Sequence, residues 1–277
     1  MHGDKLMDIH KPKPWHGWRE FLKELGTIAL GVGIALAAEQ GVEWLHWRGQ
    51  VQQAREVIAT EFTTNLVGAI NRLNTAACVE RRLDQLAQIV DEAAKKGNLP
   101  PLGDISTTAR AVWPTGAWES VVASQTATHF PRQQLAYITS LNKFLERLQE
   151  NNSAELEAWS QLHSMTGPGR RLDPASESEL RKALSSARTL DNVYVSLSLQ
   201  LGDRVKSLQL PFSQSDLDAL KAARSRLPAS FPICQPIGAP TAFYGQGYKA
   251  STVLSDGRRY TTENAAKAIP DFAVSAK

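Results

Sequence analysis

The stretch Val51-Gln-Gln-Ala54-Arg-Glu-Val-Ile58-Ala-Thr-Glu-Phe62-Thr-Thr-Asn-Leu66-Val-Gly-Ala69-Ile-Asn-Arg-Leu73 decides the fold class. Its apolar residues return every three or four positions, the spacing of one face of an α-helix. The phase continues through Ala76, Val79, Leu83, Leu86, Val90 and Ala93. Lys95-Lys96-Gly97 is a helix C-terminal signal, and Pro100-Pro101 stops any continuation. One or two long helices are therefore expected over about 42–96.

Downstream the same period recurs. Leu135, Ile138, Leu141, Leu145, Leu148, Leu156, Trp159 and Leu162 mark a helix over about 131–164, after a short one at about 115–128. Asp173-Pro174 opens a helix reaching about 208, on Leu180, Leu184, Ala187, Leu190 or Asp191, Tyr194 and Leu197. Ser213 or Ser215 with Asp216 starts a short one over about 214–226. Helices follow one another without strands between them, which predicts an all-α antiparallel bundle over 46–227. Residues 228–277 change character: 228–248 hold four prolines and three glycines, and Ser251–Tyr260 carries an Asp256-Gly257 turn between two β-compatible runs. An irregular tail with one small hairpin is expected there.

Upstream lies a different kind of segment. Leu25–Ala38 is 14 residues without a charge, about 21 Å of helix, against the roughly 20 residues of a spanning helix. Trp15 and Trp18 precede it and Trp44 and Trp47 follow it, as in the aromatic belts of a membrane helix. Trp18 to Trp44 is about 39 Å of helix, close to a bilayer with its interfaces. The expectation is a cytoplasmic head at 1–20 and a transmembrane helix at 21–45. The flank at 5–24 carries Lys5, Lys11, Lys13, Arg19 and Lys23, and 45–64 only Arg48 and Arg55, which leaves the N-terminus cytoplasmic and the bundle periplasmic in a bacterium. Two alternatives stay open: a secretory signal cleaved near Ala37, and a buried helix of a soluble protein. Ala29, Gly33, Ala37 and Gly41 recur every fourth residue and share a helix face, a candidate surface for a homodimer or a membrane-protein partner.

Gly17-Trp-Arg-Glu-Phe-Leu-Lys-Glu-Leu-Gly26, with the Gly/Ala-rich run ending Ala37-Ala38-Glu39-Gln40, resembles a group of bacterial single-pass membrane proteins. The resemblance covers about 35 residues and implies a short cytoplasmic N-terminus, one membrane helix and a helical outer domain of unknown function. It implies no activity and no functional residue.

Composition bounds the chemistry. The 277 residues are 42% hydrophobic and 21% charged, which excludes wholesale disorder and a polytopic membrane protein. Thirty-one Lys and Arg against 28 Asp and Glu give a net charge of +3, too balanced to argue for nucleic acid. Cys78 and Cys234 can form one disulfide in an oxidising compartment, or remain two buried thiols. The six histidines lack the spacing of a zinc site, and no nucleophile elbow, P-loop or dinucleotide fingerprint occurs. The acidic pairs Glu155/Glu157 and Glu177/Glu179 do not share a helix face and read as solvated surface. No catalytic residue, cofactor or metal is expected. Trp113-Pro-Thr-Gly-Ala-Trp118 is the unusual cluster: two indoles around a turn line a ligand groove, or cap the bundle core. The expected function is membrane-anchored, non-enzymatic binding, scaffolding or sensing through partner proteins. The alternatives are a small-molecule binder or enzyme with a pocket near Trp113 and Trp118, or a secreted helical protein.

Overall fold

The computed structural model describes residues 17–108, 111–238, and the backbone of 251–253 and 259–261. Trp15, the remainder of the basic head before Gly17 and the Asp256-Gly257 turn lie outside the described residues. Five α-helices dominate: α1 (Gly17–Lys96), α2 (Gly116–Ala123), α3 (Arg132–His163), α4 (Pro174–Ser207) and α5 (Gln214–Ser225). The all-α fold is as the periodicity demands. The chain divides into two units, Met1–Gln50 and Val51–Lys277.

In the first unit, α1 carries the apolar run with its side chains outward. Leu25, Ile28, Leu30, Val32, Ile34 and Leu36 are each at least half exposed, and nothing in the most apolar 18-residue window is buried. This helix is long and apolar enough to cross a membrane.

The second unit holds the core. Two apolar clusters lie in it. One joins α1 from Ala54 to Ala76 with α3 from Ile138 to Leu148, α4 from Tyr194 to Val205, and α5. The other joins α1 from Cys78 to Ala93 with α3 from Ala158 to Leu162, and α4 from Leu180 to Ala187. Rising numbers on α1 thus meet rising numbers on α3 and falling numbers on α4. α4 is antiparallel to both, and α3 runs the same way as α1. The connector between α1 and α3 must therefore return along the bundle. It starts in one cluster with Leu99 and Ile105, and reaches the other with Trp113 and Trp118.

Local chemistry fixes the ends. Gly97 ends α1 with φ +73°, a left-handed conformation that favours glycine. Asp173 caps α4 by accepting from the N–H of Ala175 and Ser176 at 3.0 and 2.9 Å, with Pro174 as first helical residue. Ser213 and Asp216 form a reciprocal capping box on α5. One short pairing was not anticipated from the helical periods. β1 (Asn98–Leu99) pairs antiparallel with β2 (Arg170–Arg171), clipping the two connectors together. The hairpin expected in the tail is present as β3 (Ser251–Val253) against β4 (Arg259–Thr261), with Thr252 opposite Tyr260.

Residues 228–238 are part of the bundle rather than a loose tail. Phe231, Ile233 and Cys234 are buried in the second cluster. Cys78 and Cys234 form a disulfide. One turn along α1, the buried Arg82 guanidinium donates to the carbonyls of Ile105, Ile233 and Gln235. Nearby, a Cβ placed on Gly103 would sit 2.6 Å from the Gly238 Cα, so the two backbones meet where no side chain fits. Closing a loop of 156 positions restricts the unfolded chain, which is worth up to about 5 kcal/mol by loop entropy. We expect Cys78→Ser/Cys234→Ser to lose about 2–5 kcal/mol in denaturant unfolding. A non-reduced peptide map should show the two cysteine peptides joined; free thiols in protein from an oxidising compartment would refute the pairing.

Candidate functional site

Between the two apolar clusters lies a charged seam. On α1, Arg72 is 2% exposed; on α3 and α4, Glu155 and Asp191 are each 3% exposed. Arg72 Nη2 donates to Glu155 Oε1 and, at 3.0 Å, to Asp191 Oδ1; Nη1 donates to Glu155 Oε2 at 3.2 Å. The guanidinium also lies over the Tyr194 ring, 4.7 Å from its centroid. Tyr194 Oη donates to the Leu148 carbonyl at 2.9 Å and shares a 2.7 Å contact with Asn152 Oδ1. Its ring stacks on Trp113 at 6.5 Å. One cation against two carboxylates leaves the seam short of positive charge. Burial pushes Asp191 up to about 7, with Glu155 and Glu80 adding to the shift and Arg72 opposing it. For Arg72, burial acts against the charged form, but Glu155 and Asp191 outweigh it and raise the guanidinium further.

A second feature is a groove of about 1220 Å³ on the surface of the second unit. Its floor is α1, through Gln52, Glu56, Val57, Thr60, Glu61 and Thr64. The entry to α2 forms one wall with Pro114, Gly116, Ala117 and Ser120; Pro211, Phe212 and the α5 cap form the other. The α2 wall is fixed to the floor at two points. Asn65 Nδ2 donates to the Pro114 carbonyl at 3.0 Å, and Glu61 Oε2 accepts from the Ala117 N–H at 2.7 Å, capping α2. Burial raises the Glu61 carboxyl above its ordinary range; the Ala117 N–H opposes the shift and Glu119 adds to it.

The expected groove residues sit elsewhere. Trp113 and Trp118 are 3% and 7% exposed and belong to the core, not to the groove lining. Trp118 packs edge-on against Phe130 at 6.2 Å. The correction has a simple cause: the connector must bury its largest side chains to return across the bundle, and its Pro114–Ala117 backbone is what faces the groove. Glu155 is a second correction, being buried and ion-paired rather than solvated. Glu177 pairs with Arg181 at the surface at 2.8 Å. Among the belt tryptophans, Trp18 and Trp44 are exposed and Trp47 is half-buried. Ala29, Gly33, Ala37 and Gly41 are all exposed, and a Cβ on either glycine would meet nothing within 4 Å. Among the described residues no group of three His, Cys, Asp or Glu is placed to hold a metal ion.

Sequence reasoning passed over Arg72, Glu155 and Asp191 as a set. The signal was present: Glu155 falls on the apolar stripe between Leu148 and Trp159, and Asp191 on that between Ala187 and Tyr194. No family model, no curated protein and no solved structure matches this chain.

The seam predicts a pH dependence with a definite sign. Asp191 holds its proton up to about pH 7 in the folded chain, while its ordinary value is 3.8. Between these limits the folded state binds the extra proton, so stability falls as pH rises through that window. We expect a higher Tm at pH 5.5 than at pH 8, and a smaller difference in Asp191→Asn; an unchanged difference would refute the assignment. Arg72→Met should lose about 3–5 kcal/mol in urea unfolding, because it strands two buried carboxylates.

Proposed function

We propose that this chain is a single-pass protein of a bacterial envelope, with its N-terminus cytoplasmic and its bundle periplasmic, which works by binding partner proteins rather than by catalysis. The observation that carries the reading is the complete outward exposure of the apolar window in α1. A core helix of a soluble protein would be mostly buried, and here every residue from Leu25 to Ala38 is exposed. The lipid bilayer is the solvent that suits such a face. The Lys and Arg excess at 5–24 over 45–64 supports the orientation. The Cys78–Cys234 disulfide suits an oxidising compartment. The cleaved-signal reading is disfavoured because the segment before the apolar run carries four acids, Asp4, Asp8, Glu20 and Glu24, unlike the basic head of a secretory signal. The resemblance at Gly17–Gly26 and Ala37–Gln40 points the same way. The work itself belongs to the bundle, whose groove is the concave surface a partner would use. A small-molecule binder is the second reading, favoured by the same groove beside the Trp113–Trp118 segment.

A reporter active only in the periplasm, fused after Lys277, tests the placement together with an alkaline wash of the membranes. We expect activity and membrane retention. Activity in a soluble, shortened protein would establish a cleaved signal instead, and an inactive fusion would overturn the orientation. On the small-residue face, Gly33→Ile should weaken self-association in a membrane two-hybrid reporter if the chains dimerise there; unchanged association would remove that face from the reading.

A further inference from the structure

The groove beside α1 is larger than the roughly 300–1,000 Å³ of ordinary small-molecule pockets, and it is a trough rather than an enclosed cavity. Its floor from Gln52 to Thr64 is about 18 Å of helix, the length of three to four helical turns. Apolar surface runs along it from Val57, Pro114, Ala117 and Pro211, with the buried Phe212 beneath. Val57 is 56% exposed there, although it sits one residue before the buried Ile58. The charge is of one sign. Glu56, Glu61 and Asp216 line the groove, and among the described residues no Lys or Arg does. Arg55, beside Glu56 on α1, is turned to the Gln209 carbonyl at 2.9 Å.

We propose that this groove docks a cationic amphipathic helix of a partner protein, three to four turns long, with its apolar stripe on Val57, Ala117 and Pro211 and its basic residues against Glu56 and Glu61. The inference rests on the partner-binding reading above and gives the partner its chemistry. Helix-in-groove recognition uses apolar anchors at i, i+3 or i+4, and i+7, which match the spacing available along this floor. Glu61 already takes one N–H from Ala117, yet its burial beside Glu119 still disfavours the charged form, so an incoming Lys or Arg relieves that. Asp216 is engaged by the α5 cap and contributes its field rather than a free contact. An anionic lipid surface is repelled by the same carboxylates. The acidic rim also sets specificity, since a helix carrying Glu in place of Lys meets like charge along its whole length.

The test uses the full chain in nanodiscs of zwitterionic lipid and a fluorescein-labelled Leu/Lys amphipathic peptide of about 14 residues, followed by anisotropy. Empty nanodiscs supply the baseline, and the twin peptide with Glu for every Lys supplies the charge control. We expect the Leu/Lys peptide to bind at least about tenfold more tightly than its twin, with binding weakened by added salt. Val57→Arg and Glu61→Gln should each weaken it by about tenfold, while Val112→Arg, at a valine outside the groove, leaves it unchanged. Val57 is exposed, so its variant folds, and an unchanged Tm confirms that. Equal binding of the two peptides, or indifference to Val57→Arg and Glu61→Gln, overturns the proposal. Binding of dodecyltrimethylammonium with the same variant sensitivity, without binding of the peptide, overturns it in favour of a small amphiphile. Purified chain exposes the groove whichever way the bundle faces in a cell. Failure here therefore removes the peptide site alone, and the reporter fusion judges the membrane placement separately.

Discussion

Arg72 places one positive charge in an interior that already holds two carboxylates, and three helices must meet in a single register for that to be tolerated. A buried guanidinium without partners would be strongly destabilising, and so would either acid without the guanidinium. Only one longitudinal setting of α1 against α3 and α4 brings Arg72, Glu155 and Asp191 together. Leucine stripes by themselves permit slippage by a turn, because one apolar surface packs on another with little preference. The ionic seam removes that freedom. It also divides the apolar interior into two clusters, one on each side of the charged layer. Tyr194 and Trp113 extend the seam to the returning connector, so the same layer holds the chain segment that forms the wall of the groove.

The two ends of the bundle are built differently. At one end the chain is tied down repeatedly. The Cys78–Cys234 bond, the Arg82 guanidinium on three carbonyls, the Gly103–Gly238 approach and the β1–β2 clip all act on the same group of loops. These loops lack the periodic apolar faces that hold helices, so covalent and charge-assisted links take the place of packing. At the other end, α2 and α5 are short and their N-termini are satisfied by carboxylates from the groove region, Glu61 and Asp216. That end carries the groove, with its apolar surface and its carboxylates.

The surface ion pairs contribute in a different currency. Asp84–Arg188 and Asp91–Arg181 join α1 to α4 at 2.8 and 2.7 Å but are roughly half exposed. Water screens such pairs, and each is worth about 1 kcal/mol or less. Their direction along the helices agrees with the antiparallel pairing of α1 and α4, so they report the topology more than they enforce it.

The helices were legible in the sequence because their period is set locally: α3 follows Pro131, α4 and α5 start at the caps Asp173 and Ser213, and α1 stops at Gly97. The apolar run at Leu25–Ala38 was legible for the same reason, as was the hairpin at Ser251–Thr261. What the periods could not reveal was direction. That α3 runs the same way as α1 follows from a connector long enough to return along the bundle, and no local pattern encodes it. Glu155 and Asp191 stood on apolar stripes, yet their meaning depended on Arg72, separated from them by 83 and 119 positions. Trp113 and Trp118 were noticed as unusual, but sequence cannot say which side of a segment faces the core. The disulfide was one of two open readings until the tail was seen to fold back on α1. The sequence by itself thus determined which segments are helical and which segment is apolar enough for a bilayer, because those properties belong to a few adjacent residues. Only the tertiary structure decided which charges are buried together and where a concave surface remains, because both are set by residues that meet from distant parts of the chain.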